Sequence, residues 1–558
     1  MSTDNFNRRQ FLQTALYSSL LYGAGAVPKL VSPANAFPFP LTKRILVDLF
    51  LDGGPDMRHL VVPAYSSDTN SFGYKYWSNR TRSHNLSDSG QTPQQRWNED
   101  YYHITVGDSN WTSNGLFDFG NLNAGLIFGI WKEAGWLIVM FRSGNAALIF
   151  NAVGGTNRAH DLSSLMLHQG DVTTTLNDQD RSGWGGRLAR SAGGNPIGLT
   201  SSPSPFTFGP LGNAPGYDPN AIDNSDLIVV NDSRNFGLFD PEETSNSPHN
   251  DFDNKMSRAA KAYYAALRQE QIGEAYEKFM DHELKTREFG KAIAQRVATT
   301  PIPEVIEALY SNGVTIRGQA ANPDPSDGSA RRVLRESNFG RQIRNLYDMI
   351  AWNNVSVNVG GEILALNPRV LSMSYGGWDT HVNQRPYSNT IANDPSNPDV
   401  GRGIESNLRD IFEGRVGANP SNPSAMHGGL SALWDSLFLN DRNNIVFTVA
   451  GEFGRQIRDN GDKGTDHGKG NLMMVIGNSC RGGVYGRMFP NSEIVKYDEP
   501  SNRTPDIDPQ TEFDHFFSRV CDWVHPGSGS TVFPRMSGSY TGEAPIIEFP
   551  GMFNTLMS

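Results

Sequence analysis

Residues 43–56 read Lys-Arg-Ile-Leu-Val-Asp-Leu-Phe-Leu-Asp-Gly-Gly-Pro-Asp. The apolar run that ends at Leu51 predicts a buried strand, and the acidic, glycine-rich turn after it predicts side chains presented at the edge of a parallel sheet. Similar apolar runs predict further strands at residues 136–141, 370–375, 445–450 and 472–476.

Helical patterns alternate with these strands, for example around residues 339–350 and 430–438. The alternation predicts an α/β fold with a mostly parallel central sheet and helices on both faces. Segments rich in Ser, Asn, Pro or Gly predict long loop insertions near residues 64–115, 196–254 and 383–425.

The first 36 residues have the pattern of an export signal. Arg8 and Arg9 precede an uncharged apolar stretch, and Ala34-Asn35-Ala36 has the small-residue pattern of a cleavage site. The paired arginines followed by Phe-Leu resemble a bacterial twin-arginine signal, which implies recognition by the twin-arginine export machinery. An ordinary signal or a membrane anchor is the alternative, although the apolar run is short for a spanning helix.

We therefore expect a signal peptide at residues 1–36 and a mature chain at 37–558 that forms a single domain with the insertions above. No later segment is long and apolar enough to predict a membrane span. The expected location of the mature chain is the periplasm or another site outside the cytoplasm.

Composition narrows the functional classes. The chain has 48 Lys and Arg against 59 Asp and Glu, a formal net charge of −11, which argues against a general nucleic-acid binder. The two cysteines, Cys480 and Cys521, exclude a disulfide scaffold and a cysteine-rich metal site. Whether they form one disulfide with each other stays open at this level.

Three short segments place acidic or histidine side chains beside glycine, directly before or after an apolar strand. The carboxyl ends of parallel strands share one edge of a sheet, so these turns are expected to converge there. Carboxylate oxygen and imidazole nitrogen are suitable ligands for zinc, manganese or a similar divalent ion. The candidate ligands in the three segments are Asp52 and Asp56, Asp379 and His381, and Asp466 and His467.

Longer motifs around the same positions resemble a known family. They are Phe-Leu-Asp-Gly-Gly-Pro-Asp at 50–56, Gly-Gly-Trp-Asp-Thr-His at 376–381, Gly-Glu-Phe-Gly-Arg at 451–455 and Gly-Thr-Asp-His-Gly at 464–468. In order and spacing they resemble the DUF1501 family, exported bacterial proteins usually placed in the alkaline phosphatase/sulfatase-like superfamily. The resemblance implies an alkaline-phosphatase-like fold over roughly residues 43–525.

The resemblance also implies metal ligands. Asp56, or alternatively Asp52, would bind one ion together with Asp466 and His467. Asp379 and His381 would bind a second ion, and His160 is a further candidate ligand. Glu452 would be either a ligand or the partner of Arg455 in a structural ion pair. One or two zinc or manganese ions are therefore expected.

Catalytic residues are harder to assign. The region that commonly reads Arg-Ser-His in the family reads Arg-Ala-His at residues 158–160, so the expected serine nucleophile is missing. Thr156 and Ser163 are the remaining candidate nucleophiles, with Ser164 beside them. Arg455 is a candidate clamp for an anionic substrate, because guanidinium matches phosphate and sulfate oxygens.

Two functions fit these observations. The first is an exported, metal-dependent hydrolase that acts on a phosphate or sulfate ester, with the attack made by a side chain or by a metal-activated water. The second is a catalytically inactive fold that serves as an extracytoplasmic binding or assembly protein with a cell-envelope partner. The missing serine and the long polar insertions favour the second.

Overall fold

The computed structural model describes residues 43–108, 116–155, 157–176, 182–200, 203–209, 227–231, 233, 288–290, 292, 303, 306, 338–351, 356–359, 362–385, 403–413, 429–498, 505–533 and 552–557. The strands in chain order are β1 (Ile45–Leu51), β2 (Val61–Pro63), β3 (Tyr101–Thr105), β4 (Ile127–Trp131), β5 (Ala146–Val153), β6 (Asn195–Gly198), β7 (Ile228–Val229), β8 (Ser356–Val359), β9 (Glu362–Ala365), β10 (Pro368–Tyr375), β11 (Ile445–Gly451), β12 (Gly454–Arg455), β13 (His467–Gly468), β14 (Asn471–Ile476), β15 (Gly483–Tyr485) and β16 (Thr511–Glu512). The α-helices are α1 (Met57–Leu60), α2 (Phe72–Asn79), α3 (Leu86–Ser89), α4 (Pro93–Asp100), α5 (Gly135–Arg142), α6 (His160–Gln169), α7 (Trp184–Ser191), α8 (Asn338–Ala351), α9 (Ile404–Phe412), α10 (Leu430–Ser436), α11 (Leu439–Asn443), α12 (Asn491–Asp498), α13 (Phe513–Val524) and α14 (Gly529–Val532).

A mixed sheet forms the centre of the fold. Its order is β15-β5-β14-β11-β1-β10-β6-β7, and β16 pairs with β5 as a ninth strand of the described residues. β1 lies parallel to β10 and β11, whereas β14 is antiparallel to its neighbours β11 and β5. The structure confirms the predicted α/β class with a mostly parallel central sheet.

Helices cover both faces of this sheet because β1 is apolar on both sides. Val47 and Leu49 point into one core with α8 and α10, while Leu46 and Phe50 point into a second core with α7 and α13. This opposite orientation follows from the two-residue period of a strand. Each fully buried side chain of this kind contributes about 1.5–3 kcal/mol to stability.

The predicted strand at residues 136–141 is wrong: this segment lies within helix α5. Trp136, Leu137, Met140 and Phe141 are buried, whereas Val139 is 57% exposed. That spacing follows the 3.6-residue period of a helix with one face in the core. A short continuous apolar run does not distinguish a buried strand from a buried helix, which explains the error.

The segment at 64–115 was predicted to be a loop insertion, but it contains α2, α3, α4 and β3. β3 pairs with β4 in a small antiparallel sheet, and Trp77 and Trp97 are buried in the main core. Thr92 starts α4 with a capping box whose other half is Gln95. Local capping and aromatic burial therefore outweigh the polar composition of this segment.

The other two predicted insertions are partly structured. Residues 195–198 and 228–229 are strands β6 and β7 of the central sheet, and helix α9 lies within 383–425 with its Leu408 buried. The remainder of these insertions, and the predicted signal at 1–36, lie outside the described residues.

Two further expectations concern the cysteines and the membrane. Cys480 and Cys521 are both buried thiols and do not form a disulfide with each other. In the part of the chain that the structure describes, no helix has the length and hydrophobicity required to cross a bilayer.

Asp48 is an ionisable group within the hydrophobic sheet. It lies in the middle of β1, 6% exposed, and accepts a 2.7 Å hydrogen bond from the Thr448 hydroxyl. Burial raises its pKa to about 7, although this hydrogen bond opposes the shift. The folded protein therefore holds a proton on Asp48 that the unfolded chain releases near pH 4, so this group lowers stability as the pH rises from about 4 to about 7.

Asp48→Asn is expected to stabilise the protein at pH 8 by up to about 4 kcal/mol relative to its effect at pH 4, because the amide carries no charge to bury. Urea unfolding of both proteins at the two pH values measures this difference. An effect of the substitution that is the same at pH 4 and pH 8 would show that Asp48 keeps an ordinary pKa.

Candidate metal centre

The candidate site lies at the carboxyl ends of three neighbouring strands. Leu51 at the end of β1 is in parallel register with Tyr375 of β10 and with Gly451 of β11. The loops that carry Asp379 and Glu452 therefore leave the same edge of the sheet. This is the convergence that the sequence pattern predicted for the turns after these strands.

Three atoms that could ligate a metal form a close triangle at this edge. Nε2 of His467 lies 3.0 Å from Oδ1 of Asp379, and Nε2 of His381 lies 3.1 Å from the same oxygen. The two Nε2 atoms are 2.9 Å apart. Asp379 and His381 come from the loop after β10, whereas His467 begins the short strand β13 that pairs with β12.

His160 completes this group, which we call the histidine–aspartate cluster: His160, Asp379, His381 and His467. It is the first residue of α6, and its Nε2 lies 3.6 Å from Oδ2 of Asp379. Donor atoms of His160, Asp379 and His467 all lie within 4.8 Å of one another. Carboxylate and imidazole groups from separate loops thus meet at one point.

Hydrogen bonds fix which nitrogen of each ring faces the centre. Nδ1 of His467 lies 2.8 Å from the carbonyl oxygen of Arg158, which can only accept, so Nδ1 carries the proton and Nε2 does not. Nδ1 of His381 lies 3.0 Å from Oδ1 of Asp466, and Nδ1 of His160 contacts Oε1 of Glu452. All three rings can therefore present an unprotonated Nε2 to the centre.

This arrangement suits a cation. When both rings are neutral, the two nitrogens and the carboxylate oxygen about 3 Å apart are all acceptors, and a metal ion or a proton between them relieves their repulsion. Ligands at 2.0–2.1 Å from a zinc ion are separated by about 3.3 Å in a tetrahedron and by about 2.9 Å at an octahedral right angle. The observed 2.9–3.1 Å spacings match such a coordination sphere.

The ionisation states also suit a metal. Partial burial acts to raise the pKa of Asp379, but the Arg455 guanidinium, which donates a hydrogen bond to its Oδ1, helps to lower that pKa to about 2. Burial lowers the pKa of His467. At neutral pH the site therefore holds an ionised carboxylate and a neutral imidazole, the forms that bind divalent ions.

The cluster is open to solvent on one side. The side chains of Asp379 and His160 are 46% and 41% exposed, and that of His381 is 37% exposed. A structural zinc site is normally closed by four protein ligands, whereas a catalytic site keeps a position for water or substrate. The exposure fits the second type.

Asp466 has a supporting position in this geometry. Its Oδ1 contacts Nδ1 of His381 and accepts a 3.0 Å hydrogen bond from the Asn460 amide. The Asn460 hydrogen bond is the main cause that lowers the pKa of Asp466. The sequence predicted Asp466 as a ligand, but the structure places it behind His381, where a carboxylate orients a metal-binding ring.

Asp56 does not join the histidine–aspartate cluster. Its side chain is 1% exposed, pairs with Arg80, and accepts a 2.8 Å hydrogen bond from Gln384. The expectation that Asp56 binds an ion together with Asp466 and His467 therefore disagrees with this geometry. Asp52, the alternative, is exposed directly after β1, and its charge acts on Glu452.

Arg455 has a buried, structural position. Its Nε donates to the Gly54 carbonyl, its Nη1 to that of Thr465, and its Nη2 to those of Gly53 and Trp378 and to Oδ1 of Asp379, over 2.6–2.9 Å. The side chain is 1% exposed. The prediction that Arg455 clamps an anionic substrate is wrong, because its donors already hold three loops and one ligand in place.

The two candidate nucleophiles that the structure describes donate their hydroxyl protons to neighbouring oxygen atoms. Ser163 is fully buried and donates a 2.6 Å hydrogen bond to the carbonyl of Asn157. The Ser164 hydroxyl donates to Oε2 of Glu452 at 2.6 Å. Thr156 lies outside the described residues.

The sequence did not reveal the roles of two supporting groups. Glu452 was considered as a ligand or as the partner of Arg455, but its fully buried carboxylate contacts His160 and Ser164. Burial raises its pKa, and the hydrogen bonds from these two residues oppose the shift. The Arg158 carbonyl that orients His467 has no side-chain signature at all, so no sequence motif reveals it.

Comparison with known proteins gives one match. No curated protein and no solved structure is significantly similar to this chain. Residues 424–498 match the sequence model of DUF1501, described as a protein of unknown function. The matched stretch includes Glu452, Arg455, Asp466 and His467. The family resemblance inferred from the motifs is therefore supported over residues 424–498.

Proposed function

We propose that this protein is an exported, metal-dependent hydrolase of the alkaline-phosphatase-like type that acts on a phosphate or sulfate ester. The observation that carries the proposal is the convergence of three histidine Nε2 atoms on the carboxylate of Asp379. A bound zinc or manganese ion would polarise the ester oxygen and lower the pKa of a coordinated water.

The protein's own groups would hold and orient the ligands of that ion. Glu452, Asp466 and the Arg158 carbonyl accept the Nδ1 protons of the three rings, so each ring keeps a fixed tautomer and direction. The buried Arg455 side chain donates a hydrogen bond to Oδ1 of Asp379 and so holds this carboxylate in position. Such preorganisation reduces the reorganisation needed when substrate binds.

The position of α6 supports an anionic substrate. His160 is the first residue of this ten-residue helix, so the helix N-terminus faces the cluster. The N-cap residue is Ala159, whose side chain makes no cap hydrogen bond. Backbone amides of a helix N-terminus and its dipole favour a negative group such as a phosphate or sulfate oxygen.

The hydrogen bonds of the serine hydroxyls favour water as the nucleophile. Ser163 and Ser164 donate their protons to Asn157 and Glu452, so neither is offered as a nucleophile in this arrangement. Direct attack by an activated water therefore fits the site better than a covalent intermediate on a described residue.

A metal site without a serine positioned for attack also fits a second candidate function. A fold that has kept its metal site but has no serine in position would serve as an extracytoplasmic binding or assembly protein, with the ion holding the loops together. The two functions share the metal and differ in turnover, so one assay separates them.

The assay uses the mature chain, residues 37–558, loaded with Zn²⁺ or Mn²⁺ and offered p-nitrophenyl phosphate, bis(p-nitrophenyl) phosphate and p-nitrophenyl sulfate. We expect metal-dependent release of p-nitrophenol from at least one ester. His381→Ala is expected to reduce this rate by more than about 100-fold, because it removes a ligand and not only its support.

His525→Ala is the matched control, since the His525 side chain makes no hydrogen bond to the described residues and lies outside the histidine–aspartate cluster. Its rate should equal that of the unchanged protein. A metal-loaded protein that turns over none of the three esters would reject the hydrolase proposal and favour the binding protein.

A further inference from the structure

We infer that a second divalent-metal site of the zinc or manganese type is formed by Glu512, Asp514 and His515. This group, the α13 cluster, lies where β16 ends and α13 begins. Ligand atoms of the three residues lie within 4.8 Å of one another, and Nε2 of His515 is 4.0 Å from Oδ1 of Asp514. This inference does not depend on the proposed hydrolase function.

The burial of the carboxylates separates this cluster from an ordinary acidic surface patch. Glu512 is 4% exposed and Asp514 is 6% exposed. Within the described residues, neither carboxylate forms an ion pair with an arginine or a lysine. Asp171, which follows α6, adds a third negative charge nearby. Buried carboxylates at such close range require a compensating cation or protons.

One oxygen atom points directly to a missing ligand. Backbone amides at the start of α13 act on the carboxylate of Asp514, but its Oδ1 is buried and has no hydrogen-bond partner among the described residues. An orphan carboxylate oxygen is costly in a protein interior. This is the same atom that lies 4.0 Å from Nε2 of His515, so an ion between them would satisfy both.

The donor set selects the ion class. Two carboxylates and one imidazole are mixed oxygen and nitrogen ligands, which suit Zn²⁺ or Mn²⁺, whereas Ca²⁺ prefers oxygen ligands alone. His515 is partly exposed, with 24% of its side chain accessible, which leaves a route for the ion.

The α13 cluster is separate from the histidine–aspartate cluster. Its residues come from β16 and α13, whereas those of the histidine–aspartate cluster come from α6, β13 and the loop after β10. The two groups share no residue.

The test is a count of bound metal in the mature chain after saturation with Zn²⁺ and gel filtration. We expect two ions per chain in the unchanged protein, one in His381→Ala, one in Asp514→Asn, and none in the double variant. Asp435→Asn is the matched control, because Asp435 is an exposed acid on α10 outside both clusters. It should retain two ions.

Thermal unfolding without metal provides the check on folding. Asp514→Asn removes an unpaired buried charge, so its metal-free melting temperature should be equal to or above that of the unchanged protein. His515→Gln, at the more exposed ligand, provides a second variant and should also retain only one ion. A single ion in the unchanged protein that is lost in His381→Ala, or two ions retained in both Asp514→Asn and His515→Gln, would overturn the inference.

Discussion

Arg455→Lys is expected to lower the free energy of unfolding by about 3–5 kcal/mol. Arginine donates to four backbone carbonyls and to Asp379 from a side chain that is 1% exposed. Lysine keeps the charge but offers three donors from a single atom, so it leaves some of these buried carbonyls without a partner. Urea unfolding measures the loss.

The same substitution tests what Arg455 does. A substrate clamp at the surface would lose affinity for the ester on replacement with lysine but would keep its stability. Arg409→Lys is the matched control, because Arg409 is 38% exposed and pairs with Glu133 at the surface. Its cost should be within about 1 kcal/mol. Equal stability of the two lysine variants would contradict the structural role of Arg455.

His467→Ala is expected to weaken binding of Zn²⁺ at the histidine–aspartate cluster by more than about 100-fold, measured by competition with a chelator. Its Nε2 forms one corner of the triangle with Asp379 and His381, and no neighbouring ring replaces it. The measurement is best made in Asp514→Asn, which isolates this cluster from the proposed second site.

Supporting residues should show a smaller, graded effect. Glu452→Gln and Asp466→Asn each keep the shape of the side chain but remove the charge that accepts an Nδ1 proton. A loss of about 10–100-fold in Zn²⁺ affinity is expected for each. If Asp466→Asn matched or exceeded the loss in His467→Ala, Asp466 would be a ligand, as the sequence pattern first indicated.

The sequence predicts the core of the fold because β1 and its neighbours are continuous apolar runs that end in acidic or glycine-rich turns. It predicts that Asp379 and His381 lie at the shared edge of the sheet for the same reason, since both follow a parallel strand. It misassigns residues 136–141 because a six-residue apolar run suits either a strand or a helix, and only the exposure of Val139 resolves the choice.

The functional roles were harder to predict, because they depend on where side chains point. Asp56 follows β1 in a ligand-like motif, yet Arg80 holds it inside the protein. Arg455 is found in a motif typical of a substrate site, but its partners are carbonyls from segments distant in sequence, which a motif does not encode. Burial and direction are set by tertiary packing, so charged residues of one type receive different roles.

We propose that His160, His381, His467 and Asp379 together bind one divalent ion. A crystal structure of residues 37–558 grown with Zn²⁺, with an anomalous difference map recorded at the zinc absorption edge, tests this directly. We expect a peak about 2.0–2.2 Å from Nε2 of all three histidines and from a carboxylate oxygen of Asp379. A map at saturating Zn²⁺ with no peak among these four side chains would contradict it.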